Sequence, residues 1–568
     1  MSGFRKLVES ATAGAWFAYA GILLLEGKVL WGIWRFRDLT SGDTSDYFVN
    51  AWRWFHTGEV NIVWSPLYAV FYGLFFYLSE DAYWVTIAHR VVIVLASTVL
   101  ALAVFRRLLP GPIAWLAAAW WALLPVNFDA AYEVHLLAVL PVLAAWLVIL
   151  GNNGPWGRGW AVGILLASSV LMRNELLAAS ALLGLASLGY ELNRRDRRIG
   201  RAVLSHLAPV ATALLVVGLF YLNSYVKPPE LGALLGSKHT LNVCQVVAFG
   251  YQQRHPEWTR SPWIQCQELM NREFGVPEPS LWEALRLNPK AMIEHFLWNA
   301  ALIPNGMQVS LFGEMTGRYS PDYGNMRGGS LRATAGSLLL AGILLAGLFH
   351  GFRDRRFWWQ NWLRQRVWGW VAMASTSLVV AVVMLTQRPR PSYMFSLSLM
   401  VAAAVGMAIH ILTRRWGFTN RAWPYFSLVV VIFLVAVPPY YRNGGRFPRR
   451  PLLEHYRRLS PFQQLLQRQG TVLVTPGDYW ELCAYVGGGS WKGCRNLRWQ
   501  DLKESVTPGS PVELQAQLKQ QGANLFYADE TVLDDPLAKE LVSSPEKYGW
   551  RLLASHQPGR GRWVLLQR

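Results

Sequence analysis

The stretch that decides the fold is Gly159-Trp-Ala-Val-Gly-Ile-Leu-Leu-Ala-Ser-Ser-Val-Leu-Met-Arg173-Asn-Glu175-Leu-Leu-Ala-Ala-Ser-Ala-Leu-Leu-Gly-Leu-Ala-Ser-Leu-Gly-Tyr-Glu191. It is one long apolar tract whose only interior charges fall at its middle. A membrane span takes about 20 mostly apolar residues. The tract therefore reads as two helices, 159–173 and 175–191, joined by a tight turn at Arg173-Asn-Glu175. Working outward, further apolar stretches lie at 12–34, 83–105, 112–126, 134–151, 203–226, 332–351, 367–386, 393–413 and 423–440. The chain of 568 residues is 53% hydrophobic and only 16% charged, with 29 Trp. Soluble domains carry about 25% charged residues. The expected fold class is a polytopic α-helical membrane protein with about 11 transmembrane helices. The apolar run 65–79 is too short to span and reads as re-entrant or interfacial.

Alternate loops must share a side. With Arg5 and Lys6 placed inside, the other inside loops carry Arg106-Arg107, Arg158, Arg194 to Arg198 with Arg201, Arg353 to Arg366, and Arg414-Arg415 with Arg421. Short basic loops on one face satisfy the positive-inside rule. They also account for part of the net charge of +19. Nucleic-acid binding would need those charges gathered on one soluble face, so no nucleic-acid partner is expected. Met1–Ser10 is polar and the apolar segment after it is long enough for a helix, which argues against a cleavable signal. The expected location is the plasma membrane, with short loops and no retention signal favouring a bacterial inner membrane. The N-terminus would be cytoplasmic.

Three regions then project outside: loops 35–64 and 227–331, and the tail 441–568. The domain division that follows is 1–440 in the membrane and 441–568 as a small soluble extracytoplasmic domain. Strand-like runs at 471–475, 523–527, 550–554 and 562–566 alternate with helix-like stretches such as 512–521, the pattern of an α/β domain. Pro438-Pro439 and Asn443-Gly-Gly445 punctuate its boundary. Within 227–331, residues 280–286 and 290–302 have apolar residues at helical spacing. Trp282 and Trp298 are the interface anchors there, and Pro289 in a first turn would put Asn288 near the N-cap. All four cysteines lie in outside segments. Local disulfides Cys244–Cys266 and Cys483–Cys494 are expected in an oxidising compartment. Zinc is the rival reading, but neither pair has the short Cys-x2-4-Cys spacing.

The polar residues near span ends are the candidate site. Ser41-Gly-Asp43-Thr-Ser-Asp46-Tyr47-Phe48 follows the first span, and Tyr47, Ala51, Trp52, Trp54 and Phe55 mark an interfacial helix after the acid pair. That helix would hold Asp43 and Asp46 at the membrane surface; the bland alternative is a pair of solvated loop carboxylates. Asp129, Glu133 and His135 stand between spans 3 and 4, where ionisable groups facing a cavity are functional candidates. Arg173 and Glu175 either serve a site or merely close their turn. Arg388-Pro-Arg390-Pro-Ser-Tyr393 sets two arginines outside, against the charge bias. A phosphate would compensate them, since Arg matches phosphate oxygens in bidentate fashion. Ordinary phospholipid headgroups are the plainer reading. His56, Lys238 and His239 have no discriminating context.

Acidic and basic clusters thus fall at one rim. At this point the chain resembles the GT-C glycosyltransferases that use polyprenyl-phosphate sugars, and more narrowly the branch with the aminoarabinose transferases of lipid A and the protein O-mannosyltransferases. Asp43 with Tyr47 and Ala51 is similar to the Asp-Glu-x-x-Tyr-x-x-x-Ala pattern of their first external loop. Ser65-Pro-Leu-Tyr68 looks like the turn that follows it. Glu133 stands near the acidic position after the third span, Arg173-Asn-Glu175 resembles an Arg-Pro-Glu signature, and Arg390-Pro-Ser-Tyr393 resembles an Arg-Tyr element before a late span. The resemblance covers roughly residues 10–420. It departs at Thr44, where many relatives have a second acid. The Trp-Trp-Asp-Tyr-Gly signature of oligosaccharyltransferases is absent, although Pro321-Asp-Tyr-Gly324 shares three letters elsewhere.

The resemblance implies a membrane glycosyltransferase with inverting chemistry at the extracytoplasmic face. Asp43, or Asp46, would be the general base on an acceptor hydroxyl. Tyr47, Glu133, His135, Arg173, Glu175, Arg388, Arg390 and Tyr393 would bind substrate and phosphate. The partners would be a polyprenyl-phosphate sugar, membrane lipids, and an acceptor that is a lipid, glycan or protein. A divalent metal could sit where two acids meet, a point the residues leave open. Two rivals remain: a lipid or solute transporter, which should show repeated halves and broken helices, and a non-catalytic scaffold.

Overall fold

The computed structural model describes residues 11–124, 133–193, 199–324, 326–355, 364–415, 423–439, 450–477, 479, 481–504, 510–556 and 561–568. Asp129, the basic stretch 194–198, Arg421 and Asn443-Gly-Gly445 lie outside these. A helix occupies each of the eleven apolar stretches. Seven are long and apolar enough to cross a membrane: Ala15–Phe36, Ala82–Leu108, Glu133–Gly151, Val203–Leu222, Leu331–Arg353, Arg366–Thr386 and Phe395–Arg414. By length and composition this is a membrane protein. The helices Gly111–Leu123, Pro155–Leu171, Leu176–Leu192 and Trp423–Ala436 are shorter. The turn between the two helices of 159–191 is where the sequence puts it, at Arg173 and Asn174.

The chain forms two compact units. The first comprises Met1–Trp31, Asn61–Leu67 and Arg90–Asn443. Its helices meet where small residues let backbones approach, the packing mode available when lipid supplies no hydrophobic drive. A Cβ on Gly159 would lie 1.9 Å from the Ser205 carbonyl oxygen, so Pro155–Leu171 and Ile199–Leu222 touch backbone to backbone. Arg158, expected in a basic loop, is instead buried in the first turn of Pro155–Leu171. There it pairs with Glu191 and lies under the Tyr190 and Trp368 rings. A charge can be buried in this way because the partner carboxylate and the ring faces replace its water.

Loop 227–331 is a helical subassembly of the first unit. Helices Pro228–Arg254, Cys266–Phe274, Leu281–Leu287 and Pro289–Phe312 build it. Ser280 and Glu283 close a capping box on the third, and Asn288 Oδ1 accepts from the Ala291 amide, 3.1 Å, at the start of the fourth. Val247, Trp258, Leu269, Met270, Ala284 and Met292 form its core, stapled by the Cys244–Cys266 disulfide.

The second unit comprises Gly32–Val60, Tyr68–His89 and Gly444–Arg568. Its sheet has strands β1 Val472–Thr475, β2 Arg495–Arg498, β3 Leu525–Asp529, β4 Arg551–His556 and β5 Trp563–Gln567, in the order β2-β1-β3-β5-β4. β1 is parallel to β2 and β3; β5 is antiparallel to β3 and β4. One face of the sheet buries Val474, Phe526, Val564 and Leu566 against Trp499, Leu514, Leu518 and Trp550. The same unit takes in the helix Asp43–Thr57. Phe48, fully buried, meets Tyr72, Phe76 and Tyr485 with ring centroids 5.8, 5.4 and 4.8 Å away. Gly73 is required there, because a Cβ would lie 2.4 Å from the Trp54 ring. The Cys483–Cys494 disulfide closes the helix Glu481–Gly487 onto the segment before β2.

Candidate functional site

In the second unit Asp43 opens its helix directly after Gly42, whose φ of 72° and ψ of −147° suit glycine and few other residues. The inward stripe of the helix is Tyr47, Phe48, Ala51 and Trp52, all buried. Tyr47 stands edge-on to Tyr68 at 5.1 Å. The four-residue steps put Asp43 at the head of the row of Tyr47 and Ala51, at the open end of the helix, while Asp46 stands off that row. Asp43 is exposed and Asp46 half-buried. Burial, then the neighbouring charges of Asp43 and Glu481, push the Asp46 carboxyl up to about 6. Glu481 was not singled out in the sequence. Its Oε1 accepts from the Gly42 amide at 3.0 Å, and it is 4% exposed.

The first unit gathers three of the sequence-predicted residues around the ring of a fourth, Tyr393. Arg173 lies 4.7 Å over Tyr393, and Arg390 lies 5.4 Å from it. The His135 ring is 4.7 Å away, its Nδ1 2.9 Å from Ser392 Oγ. Glu175 holds Arg173 at 2.5 Å. Glu133, in the first turn of the His135 helix, pairs with Arg90 at 2.5 Å, both buried. Arg390 Nε donates to Asp322 Oδ1 at 2.8 Å, and the guanidinium lies 4.4 Å over Tyr323. Arg388 is fully buried and gives its fork to backbone: Nη2 donates to Ser320 O at 2.9 Å and Asp322 O at 3.2 Å, Nε to Pro321 O at 3.4 Å. Its Nη1 has no hydrogen-bond partner among the described residues. Burial lowers Arg388 to about 10, which leaves it charged at neutral pH.

Among the described residues Glu175 pairs with Arg173 and Asp322 with Arg390, while Arg388 faces carbonyl dipoles. Close packing fixes the arrangement: a Cβ on Gly306 would lie 2.2 Å from Pro389 O. Asp322 and Tyr323 carry this geometry and were noted in the sequence only as a shared tetrapeptide. Their signal would have been a turn carboxylate able to balance Arg388 and Arg390. Among the described residues no three His, Cys, Asp or Glu side chains are grouped as a cation site.

No family of known proteins matches the chain, and no curated protein matches it. Among solved structures it is similar to the apo oligosaccharyltransferase of Archaeoglobus fulgidus. That alignment has a TM-score of 0.47 at 12% identity and covers 92% of this chain and 72% of that one. It is also similar to AglB of the same archaeon in complex with an inhibitory peptide and a dolichol-phosphate. There the TM-score is 0.39 at 13% identity, over 90% of this chain and 69% of that one.

Proposed function

We propose that the chain is a GT-C-like membrane glycosyltransferase with eleven spans and a cytoplasmic N-terminus. It would transfer a sugar from a polyprenyl-phosphate donor to an acceptor at the extracytoplasmic face. The observation that carries the reading is the cluster around Tyr393, where Arg173, Arg390 and His135 come together from three separate stretches beside the buried Arg388.

In the proposed reaction Asp43 accepts the proton of the acceptor hydroxyl. The oxygen forms its bond to the anomeric carbon from the face opposite the leaving group, with inversion. The bond from that carbon to the phosphate oxygen breaks, and its electron pair departs on polyprenyl phosphate. General-base catalysis contributes about 10²–10⁴-fold when the base is in hydrogen-bond reach. Arg173 and Arg390 take up the charge that develops on the phosphate, a preorganised role that costs no reorganisation. Arg388 frames the loop carrying Asp322. The acid pair lies in the second unit and the arginines in the first, and each is assigned its role from its own surroundings.

The test uses membranes holding wild type or Asp43→Asn with a panel of labelled polyprenyl-phosphate sugars. Acceptor-dependent release of polyprenyl phosphate by wild type, lost in the folded variant, is the expected result. Equal release by both would remove Asp43 as the base. No release from any donor would favour a transporter.

A further inference from the structure

The tail 450–568 is fastened to the segment that precedes Asp43 at three points within the second unit. Asp38 caps the tail helix Pro451–Leu459, its carboxylate accepting from the Leu453 amide at 2.7 Å and the Leu452 amide at 3.2 Å. The Tyr485 hydroxyl donates to the Thr40 carbonyl at 2.5 Å. The Glu481 carboxylate accepts from the Gly42 amide. Glu481 and Tyr485 are one turn apart on the helix Glu481–Gly487, so they reach the same side. All seven residues of that helix are buried, and Cys483 between them is tied to Cys494. Neighbouring closeness is confirmed at Gly487, where a Cβ would lie 2.8 Å from Cys494 Cβ.

These contacts act on the most sensitive point of the helix Asp43–Thr57. Gly42 precedes it with a positive φ that favours glycine, and Gly42 sets the direction in which the first turn, with Asp43 and Asp46, leaves. A glycine there is free to leave that conformation unless something holds its amide. We propose that Glu481 is a positioning residue of the acid site: it fixes the Gly42 turn from which Asp43 projects, and the Cys483–Cys494 disulfide holds Glu481 in place. The tail is then part of the catalytic apparatus rather than an appended module. This rests on the transferase reading only for its consequence on rate, and not for the contact itself.

A carboxylate beside two others is a costly choice for a simple hydrogen-bond acceptor, since like charges repel. An amide would hold Gly42 as well. The variants Glu481→Gln, which keeps an oxygen acceptor, and Glu481→Leu, which does not, therefore separate the roles. Both are made in the full-length chain in detergent, alongside Cys483→Ser/Cys494→Ser. Amide hydrogen exchange at residues 40–46 is the first readout, with β3 residues 525–529 as the fold control. Glu481→Leu should raise exchange at Gly42 by about tenfold or more, the effect of losing one buried charge-assisted bond. Glu481→Gln should leave it near wild type, and the double serine variant should resemble Glu481→Leu. Turnover should fall at least about tenfold in Glu481→Leu, with donor KM little changed, because a displaced base loses rate rather than binding. Glu481→Gln should restore most of it. Unchanged exchange at 40–46 in a folded Glu481→Leu protein overturns the proposal whatever the activity. Raised exchange with a wild type inert on every donor keeps the positioning and retires the transferase reading.

Discussion

Replacing Arg388 by Met tests whether this arginine frames its loop or binds substrate. The side chain makes two hydrogen bonds of ordinary length, to Ser320 O and Asp322 O, and a longer one to Pro321 O. Bonds from a charged donor contribute about 1.5–3 kcal/mol each. The acceptors soften the loss: Ser320 O also takes the Gln253 Nε2 donor at 2.9 Å, and Asp322 O also takes Ser320 Oγ at 3.2 Å. Only Pro321 O has no other donor among the described bonds. Removing a buried guanidinium also returns part of its desolvation cost. The net cost is then about 2–3 kcal/mol. The loop is closed at its neck by Gly329 N to Thr316 O and Ser330 N to Met315 O, and it presents Arg318 and Arg327 to solvent. Trypsin reads its opening directly. Where opening is fast relative to cleavage, the rate follows the open population, so cutting after Arg318 or Arg327 should speed up by about 30–150-fold. Arg388→Lys should fall between, since an ammonium keeps the charge but lacks the fork. Unchanged cleavage together with a raised KM for a polyprenyl-phosphate sugar would refute this reasoning and make Arg388 a ligand.

The remaining expectations follow from the same geometry. Asp46 titrates near pH 6, so turnover should fall on the acid side below about that value if its carboxylate is the working form; Glu481→Gln removes one of the charges that raise it and should move the limb lower, as a pH profile would show. Burial remains the larger cause, so the limb should not return to the ordinary carboxylate range. Asp322→Asn leaves Arg390 without its carboxylate and should raise cleavage at Arg318 less than Arg388→Met does, since the backbone bonds persist; equal or greater cleavage would count against the frame. Replacing Cys244 and Cys266 by Ser opens a loop with a sequence separation of 22 and should destabilise 243–292 by about 3 kcal/mol, read as faster exchange there against an unchanged Phe395–Arg415 helix.

Much of this organisation can be read from residues alone, because apolar length is a strong signal. The eleven stretches coincide with helices, and Asn288 caps where Pro289 predicts it. The pairing of the cysteines follows from their nearness in sequence within two separate regions. The helix Pro228–Arg254 is less legible: polar residues such as Ser237, Lys238, Asn242 and Gln245 interrupt its apolar positions, so no clean face stands out. β2, Arg495-Asn-Leu-Arg498, is a polar edge strand of four residues whose pairing with β1 decides its state. Such a strand has no periodicity to detect. Glu481 is illegible for a different reason. Its partner lies more than 400 residues earlier in the chain, and nothing local distinguishes it from any other helix-start glutamate.

Asp46 shows why the acid site is not explained by packing alone. The first turn of a helix carries a partial positive charge and should favour an ionised carboxylate. Asp46 sits in that turn, and burial with the like charges of Asp43 and Glu481 pushes its carboxyl up instead. The linkage sign follows. Between the ordinary carboxylate pKa and about 6 the folded state holds more protons than the unfolded one, so this group's contribution to stability is lost as pH rises through that window. Arg390 and Asp322 illustrate the contrasting case, a carboxylate placed where an arginine satisfies it. A protein selected only for a stable rim would treat Asp46 in the same way, and neutral substitutions such as Asn were open to it. Instead a third carboxylate is brought in from the tail and bonded to the residue before Asp43. A carboxylate pushed up beside like charges is characteristic of groups that move protons, and within the proposed reaction it makes Asp46 the alternative to Asp43 as the base.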